Sequence, residues 1–163
     1  MHSVYLVLAA LIISVQSFEV PTNESTHNWF TIGDKKYYIR TDATSNFWGA
    51  AEFCASIYMK LLTVETEAEN AAVLSVLESH TATETTKRCF WTSGNRLAES
   101  SNDWTWTWLT TGNKITFFDW GSGEPNNQEG DEECICMWNK KYYSQGSWDD
   151  EPCTNQKGAI CES

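Results

Sequence analysis

Glu124-Pro125-Asn126 heads a segment that continues through Asp131-Glu132-Glu133-Cys134 to Trp148-Asp149-Asp150 and Cys153. Carboxylates and a carboxamide crowd around a proline, and two cysteines are far enough apart to close a loop. Folding alone does not call for such a cluster. Asp131, Glu124, Glu132, Glu133, Asp149 and Asp150 would repel one another if brought together without a counter-ion. Hard oxygen donors of this kind suit Ca2+, which takes carboxylates, amide carbonyls and water. Gly121 to Gly130 is polar throughout, and function concentrates in long polar loops of compact domains.

The rest of the composition narrows the setting of that cluster. A chain of 163 residues fits one domain. Val4 to Val15 is an apolar run, followed by Val15-Gln16-Ser17 with small residues where a signal peptidase reads. Residues 1–17 are therefore expected to be a secretory signal peptide, too short to span a membrane. Residues 18–28 read as a short lead-in, and 29–162 as the domain. Secretion would make Asn23-Glu24-Ser25 a usable glycosylation sequon at Asn23. The formal net charge of -11 disfavours nucleic acid and anionic membrane surfaces as partners. It favours a divalent cation. Six Cys in an extracellular chain imply three disulfides. A zinc-thiolate site is a poor reading, because no C-x-x-C occurs and few His are present. Nine Trp, seven Phe and six Tyr compensate for a modest supply of aliphatic core residues.

The pattern along the chain is that of an α+β protein. Trp29 to Ile39 reads as two short strands about a Gly33-Asp34 turn. From Ser45, Phe47, Ala50, Ala51, Cys54 and Ile57 or Tyr58 recur at helical spacing. Thr66-Glu67-Ala68-Glu69 is a capping box. It starts a second helix to about Ser79, with Ala72, Val73, Val76 and Leu77 inward. The second half is strand-like. Cys89 to Thr92 is expected to be a strand ended by Ser93-Gly94-Asn95. Trp104, Trp106 and Trp108 alternate with Thr and are read as core-facing rather than as an exposed sugar platform. Ile115 to Trp120, Cys134 to Trp138 and Gly158 to Cys161 complete the strands.

These residues resemble a C-type lectin domain of the single-domain, secreted, insect-like form, from about Trp29 to Cys161. Cys54 on a first helix is followed by Leu61-Leu62-Thr63-Val64-Glu65-Thr66-Glu67-Ala68-Glu69-Asn70. Phe90-Trp91-Thr92-Ser93-Gly94 begins the second main strand. Glu124-Pro125-Asn126 precedes Cys134, Trp148-Asp149-Asp150 precedes Cys153, and Ala159-Ile160-Cys161-Glu162 ends the domain. The resemblance implies two helices, small antiparallel sheets and a long Ca2+-binding loop region. It also implies the bridges Cys54–Cys161 and Cys134–Cys153. Cys89 and Cys136 fall outside the basic pattern and are expected to form a third bridge, two free thiols or a link to another chain being the alternatives.

By the same resemblance, Glu124, Asn126, Glu132, Asp149 and Asp150 hold the ion and the sugar, and the Glu124-Pro125 bond is cis. Glu-Pro-Asn implies mannose-type selectivity, covering mannose, fucose and glucose-like sugars. The family's Trp-Asn-Asp reads Trp148-Asp149-Asp150 here, and an ionised Asp149 accepts hydrogen bonds without donating any. A second ion set maps onto Asn95, Glu99, Asn127, Glu132 and Glu133. The implied function is Ca2+-dependent recognition of glycans on microbial or self glycoproteins, as in innate immunity. Multivalency would come from a homo-oligomer or a partner protein. The rival reading is a lectin-like module that binds protein, with weak or altered sugar binding. Catalysis is not expected, because carboxylates committed to a cation stay ionised and make poor general acids.

Overall fold

A computed structural model describes residues 28–83, 88–97, 105–139 and 146–163. Residues 1–17, expected to be a signal segment, most of the expected lead-in, Asn23, Glu99 and Trp104 lie outside the described residues. Gly33 turns the chain with φ +60 between β1 (Trp29–Ile32) and β2 (Lys35–Ser45). Helix α1 (Phe47–Ser56) starts at Asn46, whose side chain accepts the Gly49 N–H at 2.9 Å. Phe47, Ala50 and Cys54 form its buried face, as the periodicity predicts. The chain leaves α1 through Tyr58, which has φ 59 and is 98% exposed, so its ring is not held in place by packing. A left-handed residue with a Cβ costs free energy that glycine avoids. Tyr58→Gly should therefore raise stability by about 0.5–1 kcal/mol net of the greater freedom of glycine when unfolded. Thermal unfolding of the two proteins measures it, and a lower melting temperature would contradict the argument.

Strand β3 (Lys60–Leu61) leads to α2 (Glu67–His80). The Thr66 hydroxyl caps α2 by accepting the Glu69 N–H at 3.2 Å, while the Glu69 carboxylate turns back to the Glu65 N–H at 3.0 Å. Val73 and Leu77 face inward as the periodic reading expects, while Ala72 and Val76 are only partly buried. Asn70 and Leu74 complete the buried stripe, and Asn70 has polar partners inside the protein.

Strands β4 (Cys89–Asn95), β5 (Thr107–Trp108), β6 (Glu132–Trp138), β7 (Trp148–Pro152) and β8 (Lys157–Glu162) complete the sheet. Its order is β1-β2-β8-β4-β6-β7, with β3 on β8 and β5 on β4. All pairs are antiparallel except β4 with β8. Two expectations change here. Ser93-Gly94-Asn95 does not end a strand; β4 runs through it and pairs Gly94 with Trp108 and Asn95 with Thr107. Ile115 to Trp120 is not a strand either, and only Lys114 and Trp120 make isolated bridges. Its aromatics are drawn separately toward Trp148, with Phe117 and Trp120 both edge-on to that ring.

Trp106 and Trp108 face the core, which is built around Leu62, Val73, Leu77, Phe90, Ile135 and Trp148. A second cluster joins α1 to β8 through Phe47, Leu61 and Trp91. Cys54 pairs with Cys161, Cys89 with Cys136 and Cys134 with Cys153. The first bridge closes 107 residues and ties α1 to the last strand. The third links the start of β6 to the chain just beyond β7.

Candidate functional site

The register of β6 with β7 sets the site. Asp149 lies opposite Cys136 and Asp150 opposite Ile135 on β7, the strand at the edge of the sheet. The β7 strand is positioned from behind by a buried polar chain. The Trp148 indole N–H donates to the Asn70 carbonyl oxygen at 2.9 Å, and the Asn70 amide donates to the Asp119 carboxylate at 2.8 Å. That same Asp119 oxygen accepts the Ser147 hydroxyl at 2.9 Å, and the Asp119 backbone carbonyl accepts the N–H groups of Ser147 and Trp148. Gly146 precedes this contact with φ +68, and a Cβ there would coincide with the Trp120 carbonyl. Neither Asn70 nor Asp119 was singled out from the sequence. The only available signal was an Asn on the inward side of an otherwise apolar helix face.

The polar loop wraps onto β7 from the front. The Glu124-Pro125 bond is cis. The backbone N–H groups of Asn126 and Asn127 donate to the two oxygens of Asp150, each at 2.9 Å. The Gln128 N–H is shared between the Asn126 side-chain oxygen at 2.7 Å and the Glu132 carboxylate. The Glu132 N–H in turn donates to the Asn127 side-chain oxygen at 3.1 Å. Asn127 takes a left-handed backbone, φ 46, from which a short 3-10 turn over Gln128–Gly130 begins.

Glu124, Asp149 and Asp150 each bring a carboxylate oxygen within 4.8 Å of the others. The second oxygen of Glu124 is buried and has no hydrogen-bond partner. Burial first, and then the Asp149 and Asp150 charges, push the Glu124 carboxyl from 4.5 up to about 7. Glu132 is pushed to about 7 by burial, against the pull of the Gln128 N–H, with Asp150 adding to the rise. Burial also raises Asp149, opposed by the Trp138 indole, which donates to Asp149 Oδ2 at 3.1 Å. Three carboxylates within 4.8 Å of one another and a buried orphan oxygen make an arrangement that a positive charge would stabilise. The donors are all oxygen, and no described cysteine is free, so the set fits a hard cation such as Ca2+ better than zinc.

Of the five principal residues, Glu124, Asp149 and Asp150 converge directly, and Asn126 and Glu132 meet at the Gln128 N–H. The second set is less assembled. Asn95 is buried and its amide N–H groups are committed to the Ser93 and Thr107 carbonyls, while its oxygen accepts the Leu97 N–H. Glu133 contributes its backbone carbonyl to Arg96. The described acidic groups able to hold an ion together are those of the principal site.

Comparison with known proteins places this architecture. The Lectin C-type domain family matches residues 43–163. A salivary C-type lectin from Aedes albopictus is 27% identical over 78% of this chain and 82% of its own length. An E-selectin from Bos taurus is 30% identical over 77% of this chain, which spans only 24% of that protein. Among solved structures, the carbohydrate-recognition domain of the mouse scavenger receptor C-type lectin is 25% identical with a TM-score of 0.64, covering 83% of this chain and 93% of that one. A lectin from Saxidomus purpuratus, described as Ca2+-independent, is 29% identical with a TM-score of 0.64, over 83% and 91% of the two chains. Members of the matched family are carbohydrate-binding domains rather than enzymes, and they generally bind Ca2+. By its family match, its sheet order and its two capped helices, the chain belongs to the C-type lectin domain family.

Proposed function

We propose that the domain is a Ca2+-dependent lectin in which Glu124, Asn126, Glu132, Asp149 and Asp150 hold the ion and present it to a glycan. The observation that carries this is the orphaned, buried Glu124 oxygen beside the Asp149 and Asp150 carboxylates. A bound ion would supply coordination to two neighbouring sugar hydroxyls. The chain's own part is to aim those carboxylate oxygens and offer acceptors to the hydroxyl protons, while the ion would supply the charge that keeps them ionised. The Glu-Pro-Asn order supports the mannose class. Secretion, a glycosylated Asn23 and targets on microbial or self glycoproteins belong to the same reading. So does clustering of copies, since one shallow sugar contact binds weakly and gains from multivalency.

A glycan array in Ca2+ and in EDTA tests the reading, with Glu124→Gln as the control variant. Wild type should bind mannose-type glycans in Ca2+ and lose them in EDTA. Glu124→Gln should lose binding in both conditions while keeping its fold by circular dichroism. A second reading, a lectin-like module that works without the ion, draws support from acceptor-only Asp149 and from the Ca2+-independent neighbour. EDTA-insensitive binding would select it. Isothermal titration should return one ion per chain; two would bring in Asn95, Glu99, Asn127, Glu132 and Glu133.

A further inference from the structure

The geometry points to Trp138 as the positioning residue that makes position 149 require aspartate, an inference that rests on the ion-site reading above. The Trp138 indole N–H donates to Asp149 Oδ2 at 3.1 Å, while an Asp149 oxygen also lies in the carboxylate cluster with Glu124 and Asp150. Position 149 therefore meets two demands for an acceptor, one from the indole and one from the cation. An ionised carboxylate has two acceptor oxygens and satisfies both. An asparagine has one oxygen and an NH2 group. If its oxygen faces the ion, its NH2 meets the indole N–H and two donors are opposed. If its oxygen faces the indole, its NH2 points at the cation.

The surroundings hold this arrangement in place. Trp138 is half-buried at the end of β6, and its ring also lies under the Lys157 ammonium at 5.8 Å. Lys157 is in turn paired with Glu151. The indole thus has the paired Lys157 over its ring in addition to its hydrogen bond to Asp149. The departure from Trp-Asn-Asp to Trp148-Asp149-Asp150 is then matched by a donor on the adjacent strand. The site keeps its ion ligand and lacks the N–H that an asparagine would offer to a sugar.

A two-residue cycle tests this: wild type, Asp149→Asn, Trp138→Phe and the double variant, each titrated with Ca2+ by calorimetry. Asp149→Asn alone should weaken the ion about tenfold or more, having lost both a charge and a correctly turned oxygen. In the Trp138→Phe background the same change should cost about threefold or less, because the amide is free to turn its oxygen inward. The double variant should also bind mannose more tightly than Asp149→Asn. A readout without the ion is the indole proton resonance of Trp138, identified by its absence in Trp138→Phe, which should shift on Asp149→Asn. Equal costs of Asp149→Asn in both backgrounds would overturn the proposal. So would an indole resonance unmoved by the change. Failure of the ion-site reading would show separately, as no Ca2+ heat in wild type.

Discussion

Adding Ca2+ to the ion-free protein at about pH 8 should raise its melting temperature by roughly 10 °C when the ion is near a hundredfold above its dissociation constant. The gain should shrink as pH falls, and the direction follows from the carboxylates themselves. Glu124 and Glu132 sit near 7 in the folded, ion-free protein, against 4.5 for the ordinary group. Between those values the folded state binds more protons than the unfolded one. Ion-free stability must then fall as pH rises through that window. Ca2+ has the opposite dependence, because it binds the deprotonated carboxylates and competes with protons. Melting curves at about pH 5 and about pH 8, with Ca2+ and with EDTA, should therefore diverge as pH rises. Curves that coincide at both values would remove the ion site. A Ca2+ gain that grew toward low pH would contradict the roles given to Glu124 and Glu132.

Replacing Asn70 with alanine should lower stability by about 2–4 kcal/mol and weaken the ion as well. Asn70 is 5% exposed and lies on α2, far along the chain from the carboxylates it supports. It alone both accepts from the Trp148 indole and donates to Asp119. Alanine leaves the buried indole N–H without a partner and takes one donor from Asp119. Asn70→Asp separates the two roles. Aspartate accepts from Trp148 but faces Asp119 with a second carboxylate. One of the pair must then hold a proton, which is easier at low pH. Asn70→Asp should accordingly be destabilised at about pH 8 and recover much of the loss at about pH 5, whereas Asn70→Ala should not recover. Chemical unfolding at the two pH values reads both. Equal pH response in the two variants would show that Asn70 only fills space.

These two predictions differ in how visible their residues were before folding. The carboxylate cluster was legible because acidic residues, a proline and cysteines recur in one order, and the resemblance supplied a reason for it. The capping box at Thr66–Glu69 was legible because capping is local. Asn70 was not, because helical periodicity assigns faces by apolarity and carries no term for a polar residue with buried partners. Asp119 and Trp138 were hidden for a related reason. Each acts across strands or across the core, on Trp148 and Asp149, and sequence spacing does not encode such contacts. Asn95 shows the converse. The resemblance puts it in a second ion set, and the continuation of β4, which spacing did not show, places its amide between two carbonyls. The run at Ile115–Trp120 has strand composition, yet its side chains pack around one indole instead of alternating along a ladder.

The grip of Asp150 on the backbone of Asn126 and Asn127 has a kinetic side. A loop tethered at both of those amides has already given up much of its conformational freedom before any cation arrives. A cation bound there would meet a preformed basket, so its capture could approach the encounter rate, and differences in affinity between variants should lie in how fast it escapes. Asp150 would serve as a latch on the peptide backbone first and as a ligand second.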